Sequence, residues 1–78
     1  MPTIEFRLSD DRQYVELCNL LKLTGIANSG GQGKLMVANG DVSVDGRPES
    51  RKTAKISAGQ EVECLGTRIA VLAAGTGG

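Results

Sequence analysis

The side chains that could do chemistry here are cations. Lys34 stands directly behind Gly30, Gly31 and Gly33, and Arg47, Arg51, Lys52 and Lys55 fall within nine residues against one acid, Glu49. That second stretch carries net +3, while the chain as a whole has nine basic and nine acidic side chains and no net charge. Guanidinium and ammonium groups gathered this way neutralise phosphates or other anions. The acids are biased the other way: Glu5, Asp10, Asp11 and Glu16 outnumber Arg7 and Arg12 through residue 16. The chain is therefore polarised although its total charge is zero. On charge alone, a solvated loop that only aids solubility explains the basic run equally simply.

Other chemistries lack their residues. There is no histidine, so the commonest general base and metal ligand are missing. Cys18 and Cys64 are the only cysteines and stand too far apart in sequence to suggest a zinc site. With no secretory signal at MPTIEFRLSDD, two such cysteines read as reduced thiols in a core. Asp10-Asp11 is the only adjacent carboxylate pair, and no nucleophile has a base beside it. The chain is expected not to be an enzyme and to use no cofactor. Tyr14 and Phe6 are the only aromatic side chains, and both fit core positions, which argues against a base-stacking platform. An anion partner of nucleic-acid type would then be a structured RNA, met through phosphates and shape.

The glycines before Lys34 invite a nucleotide reading, and the spacing rejects it. A P-loop needs glycine at Asn28 and serine or threonine at Leu35, and it follows a strand rather than a helix. A dinucleotide fingerprint begun at Gly31 needs its last glycine at Met36. Two readings of Gly30, Gly31 and Gly33 remain, and they are compatible. One is close packing of helix backbones. The other is a first helical turn whose bare N–H groups accept an anion.

These residues need elements to hold them. The segment from Gly25 to Gly46, GIANSGGQGKLMVANGDVSVDG, ends one helix, caps another, stops it and enters a hairpin. Ser29 with Gln32 three residues on is a capping box, so a second helix is expected from Ser29 to about Asn39, with Asn39-Gly40 as its stop. Before it, Tyr14, Leu17, Cys18 and Leu21 make one apolar face of a first helix, about Asp11 to Leu23, ended at Gly25. Gly33, Met36, Val37 and Gly40 form one stripe of the second helix, and Leu35 and Ala38 lie opposite. A short helix apolar on both sides is expected to be wedged between the first helix and a sheet.

Strands account for the remainder. Ile4, Phe6 and Leu8 alternate with charge, and Ser9-Asp10-Asp11 supplies a turn or cap. Val42 and Val44 precede a type I′ turn at Asp45-Gly46, and Arg47 to Glu49 returns, with Pro48 marking an edge. Ser50 to Lys55 reads as a basic loop, and Ile56 leads into a turn at Ser57 to Gln60. Glu61 to Leu65 and Arg68 to Leu72 form a hairpin turning at Gly66-Thr67. The expectation is an α+β domain over residues 1–72, with two consecutive helices packed on a small antiparallel sheet. A small-residue tail, 73–78, is expected to be flexible. Seventy-eight residues are near the lower limit for one self-sufficient core. No apolar run approaches the ~20 residues that span a bilayer, so a cytoplasmic chain with no membrane partner is expected.

The run LCNLLKLTGIANSGGQGKLMVANGDVSVDGRPESRKTAKISAGQEVE resembles the αL RNA-binding motif, named for ribosomal small-subunit protein S-four. That motif has a leucine-rich helix, a glycine, a serine-led second helix, a further glycine and a V-x-V-[ND]-G hairpin. Here these are Leu17 to Leu21, Gly25, Ser29, Gly40 and Val42 to Gly46. A basic stretch and a G-[DQ]-x-[IV] step follow, matched by Gly59 to Val62. Within that family the chain resembles the small stand-alone bacterial YbcJ-like branch, whose SGxQxK helix start matches Ser29, Gly30, Gln32 and Lys34.

The resemblance implies non-catalytic binding of structured RNA, with ribosomal and transfer RNA among the candidates. Carried over by position, the RNA face comprises Ser29, Gly30, Gln32, Lys34, Arg47, Arg51, Lys52 and Lys55. Where the broader family has arginine after the serine, this chain has Gly30, leaving Lys34 as the cation there. The chain is expected to act as a monomer. The alternative from another class is a β-grasp sulfur carrier, which would use the C-terminal Gly77-Gly78. A third reading, a protein-binding adaptor using the basic face, stays open.

Overall fold

A computed structural model describes residues 2–9 and 12–73. In chain order the elements are β1 (Thr3–Arg7), β2 (Tyr14–Glu16), α1 (Leu17–Leu23), α2 (Gly30–Ala38), β3 (Val42–Val44), β4 (Arg47–Pro48), β5 (Lys55–Ser57), β6 (Glu61–Cys64) and β7 (Thr67–Leu72). The α+β class and the two consecutive helices are as expected. The sheet, however, is mixed: its order is β1-β7-β6-β3-β4, and β1 runs parallel to β7 while the other pairs are antiparallel. Parallel pairing needs a long crossover, and here everything from β2 to β6 supplies it. A second, two-stranded ribbon joins β2 to β5.

That ribbon is the main correction to the sequence reading. Tyr14 to Glu16 is not the first turn of α1 but a strand, so the helix is only Leu17–Leu23. Val15 is opposite Ile56, and both are buried. The pairing overrides the helical spacing that begins at Tyr14, because two β-branched side chains gain more by meeting across a ribbon. Ile56 is accordingly the centre of β5 and does not merely lead into a turn, and Lys55 is part of a strand. Tyr14, expected in the core, is 39% exposed.

The second helix forms as its caps dictate. Ser29 is the N-cap, and its Oγ accepts from the Gln32 N–H at 3.1 Å. The Gln32 side chain reaches back one residue further than a capping box requires: its Oε1 accepts from the Asn28 N–H. Asn39 closes the helix, and Gly40 follows at φ 82. The stripe reading holds for Gly33, Met36 and Val37, which are buried on the α1 side. The expectation of cover on both sides fails: Leu35 is 64% exposed, and Ala38 is exposed too.

Leu17, Leu20 and Leu21 of α1, Val37 of α2, and Val42, Val62, Ile69 and Val71 of the sheet make one continuous core with Val15 and Ile56 of the ribbon. The Asp45-Gly46 turn has positive φ at both residues, as a type I′ turn requires. The later hairpin turns at Leu65-Gly66, one residue before the expected Gly66-Thr67, with φ 51 and 83. Glycine at the second turn position fixes that register, and Thr67 begins β7. Cys18 and Cys64 are buried free thiols, as expected, and burial pushes the Cys64 thiol up. Asp10 and Asp11, with the turn and helix start expected there, and residues 74–78 of the expected tail lie outside the described residues.

Candidate RNA interface

The basic loop is fastened to the helices by its own backbone. Helix α1 begins at Glu16 without a side-chain cap. Its first donors are met by the loop instead: the Leu17 N–H donates to the Ala54 carbonyl at 2.9 Å, and the Cys18 N–H to the Lys52 carbonyl at 3.1 Å. The loop closes on itself where the Ala54 N–H donates to the Arg51 carbonyl at 3.2 Å. The Ala54 methyl is buried, so this residue anchors the loop, and the flanking Arg51, Lys52, Thr53 and Lys55 all face solvent.

Cys18 also carries the link to α2. A Cβ on Gly33 would sit 2.7 Å from the Cys18 carbonyl oxygen, closer than any side chain tolerates. Glycine there lets the two helix backbones touch, and it seats Lys34, the next residue, beside the loop. Close packing explains Gly33 alone. A Cβ on Gly30 meets nothing within 4 Å, and one on Gly31 meets only the Ser29 hydroxyl at 3.8 Å. The first turn of α2 is thus bare where it faces outward.

The result is an open depression of about 820 Å³ lined by Lys34, Ser50, Arg51, Lys52, Thr53, Ala54 and Lys55. Four of the expected site cations, Lys34, Arg51, Lys52 and Lys55, meet there although Lys34 is far from the others in sequence. Ser29, Gly30 and Gln32 open the same helix that carries Lys34. Arg47 stands apart: it is on edge strand β4, beside a separate hollow shared with Asp45, Glu49 and Gln60. Arg51 is partly spent within the protein. Its Nε lies 3.3 Å from Glu49 Oε2, and its backbone N–H donates to the same oxygen at 3.0 Å. These bonds hold the Glu49 carboxyl below the usual carboxylate range.

Sequence reasoning missed three residues of this neighbourhood. Ser50 and Thr53 line the depression with hydroxyls, and nothing in a polar loop singles them out. Tyr14 was hidden by the helical spacing that it shares with Leu17 and Leu21: α1 begins only at Leu17, and as part of β2 Tyr14 is at the surface, with the Lys55 ammonium 5.0 Å from its ring centre.

The S4 domain model matches residues 6–72 of the chain. The chain belongs to the S4-domain family. YbcJ of Escherichia coli strain K12, named as a candidate RNA-binding protein, is 52% identical over 60 residues, covering 77% of this chain and 86% of YbcJ. YbcJ of Shigella flexneri matches equally. The solution structure of E. coli YbcJ, described as revealing an αL motif involved in RNA-binding, superposes with a TM-score of 0.68 at 47% identity, covering 87% of this chain and 85% of that one. The S4-domain match spans both helices, the ribbon, the basic loop and the hairpins. These likenesses give no support to the sulfur-carrier alternative, whose Gly77-Gly78 lies outside the described residues.

Proposed function

We propose that this S4-domain protein binds structured RNA in the cytoplasm, as a monomer and without catalysing a reaction, through its folded unit of residues 1–72. The observation that carries the reading is the depression itself. Four cations from two separate chain segments converge on it, and the bare first turn of α2 lies beside them. Phosphates would be neutralised by Lys34, Arg51, Lys52 and Lys55, with Arg47 at the margin. Ser29 and Gln32 fix the backbone of the α2 N-terminus, and Gly30 leaves its first turn accessible to a phosphate oxygen. Among the described residues no helix is long and apolar enough to cross a membrane, and no cluster of ligands could hold a metal ion. The name of E. coli YbcJ and the description of its solution structure support the same partner class.

The test is the double charge reversal Arg51→Glu with Lys52→Glu. Both side chains are exposed, so circular dichroism and the unfolding midpoint should stay near those of the parent. Binding to a structured RNA hairpin at low salt is expected to fall below detection. Unchanged affinity in a folded double variant would remove the loop from the site.

A further inference from the structure

The aromatic inventory argued against any base-stacking element, and the fold reverses that for one residue. Tyr14 is carried by β2, and its register partner is Ser57, next but one to Lys55 on β5. Tyr14 and Lys55 therefore share one face of the ribbon, and the ammonium rests 5.0 Å from the ring centre. Tyr14 is 39% exposed, whereas its strand neighbour Val15 is 3% exposed, so the tyrosine is not part of the core. Lys55 is at the same time a wall of the cationic depression. An ammonium of the cationic depression thus lies over one face of a partly exposed tyrosine. The two groups lie within the span of a single nucleotide.

We infer that Tyr14 is a stacking residue: it takes one unpaired nucleobase flanking the helical RNA whose phosphates occupy the depression, with Lys55 bridging ring and backbone. The inference rests on the RNA-binding reading and adds a preference to it. Phosphate contacts alone do not distinguish a blunt duplex from one with an unpaired nucleotide. A ring does, because only an unstacked base can leave its helix and lie on an aromatic side chain. Exposed aromatic surface next to a cation is also what a base and its phosphate need simultaneously.

The chain supplies its own probe, since Tyr14 is the only tyrosine and there is no tryptophan. Tyrosine emission therefore reports on this ring alone. The parent protein would be titrated with two RNA hairpins of equal stem, one blunt and one with a short unpaired 3′ extension. Binding is followed separately by anisotropy of a label on the loop. Emission is expected to be quenched strongly by the extended hairpin and little by the blunt one. Tyr14→Ala should lower affinity for the extended hairpin about tenfold and for the blunt hairpin less than twofold. Tyr14→Phe, which keeps the ring, should restore the preference. If anisotropy shows equal binding of both hairpins, with no selective quenching and no selective loss in Tyr14→Ala, the stacking inference is overturned while the RNA-binding reading stands. If neither hairpin binds at low salt, both fall together.

Discussion

At the residue scale, the glycines of α2 divide into two kinds, and substitution separates them. Gly33 packs against the Cys18 carbonyl, so Gly33→Ala drives a methyl into backbone that has no room to yield. A loss of about 2 kcal/mol is expected in urea unfolding, within the usual range for overpacking. Gly30 faces open space, so Gly30→Ala should be neutral or stabilise by up to ~1 kcal/mol. If the first turn accepts a phosphate, the same methyl obstructs it, and RNA affinity should fall as stability rises. A Gly30→Ala protein that is more stable and binds RNA as well as the parent would exclude the α2 N-terminus from the interface. Much at this scale was legible in sequence. Ser29, Asn39, Gly40 and the Asp45-Gly46 turn each specify local backbone geometry and behave as their types demand. The Gln32 acceptor found Asn28 rather than Ser29, a shift that depends on the path of the loop entering the helix.

At the element scale, the β2–β5 ribbon holds the basic loop. It pairs Val15 with Ile56 on the core side, and the loop that runs into β5 caps α1 through its Ala54 and Lys52 carbonyls. Helix α1 has no side-chain cap of its own, so loop and helix start should open together. Ile56→Val and the control Ile69→Val on β7 each remove one buried methylene and should each cost about 1 kcal/mol. Only Ile56→Val should speed hydrogen exchange at the Leu17 and Cys18 amides beyond its global effect. Equal exchange in both variants would show that the ribbon does not govern the loop. This element was the least legible in sequence. Tyr14, Leu17, Cys18 and Leu21 have helical spacing, and β2 and β5 are three residues each, too short for alternation to declare itself. Their pairing joins segments about forty residues apart, which no local pattern encodes. The outer face of α2 failed for a related reason: Leu35 and Ala38 look like core, but no second layer reaches them. The parallel β1–β7 pair likewise depends on the whole crossover rather than on either strand.

At the scale of the whole molecule, neutrality conceals an asymmetric surface. Nine cations balance nine acids, yet four cations share one depression on a protein whose extents are only 38 × 24 × 20 Å. Charge counts along the chain anticipated the loop's contribution, and the position of Lys34 behind the glycines of the helix start singled it out as a further cation. Arg47 was grouped with them by proximity in sequence, but the type I′ hairpin carries it to the edge strand and a different hollow. On the proposed reading, four neutralised phosphates would release counterions in proportion, so affinity is expected to depend steeply on salt even though the protein has no net charge. A protein held by apolar or neutral polar contacts would show little such dependence.

The salt dependence of binding to a structured RNA hairpin is therefore the most direct test, measured by anisotropy from low to moderate salt with the parent protein. With Lys34, Arg51, Lys52 and Lys55 engaged, log affinity should fall against log salt with a slope of about −3.6, the upper value that duplex behaviour implies for four contacts. A slope near zero, or no binding at the lowest salt, would contradict the assignment of the depression as an RNA phosphate site.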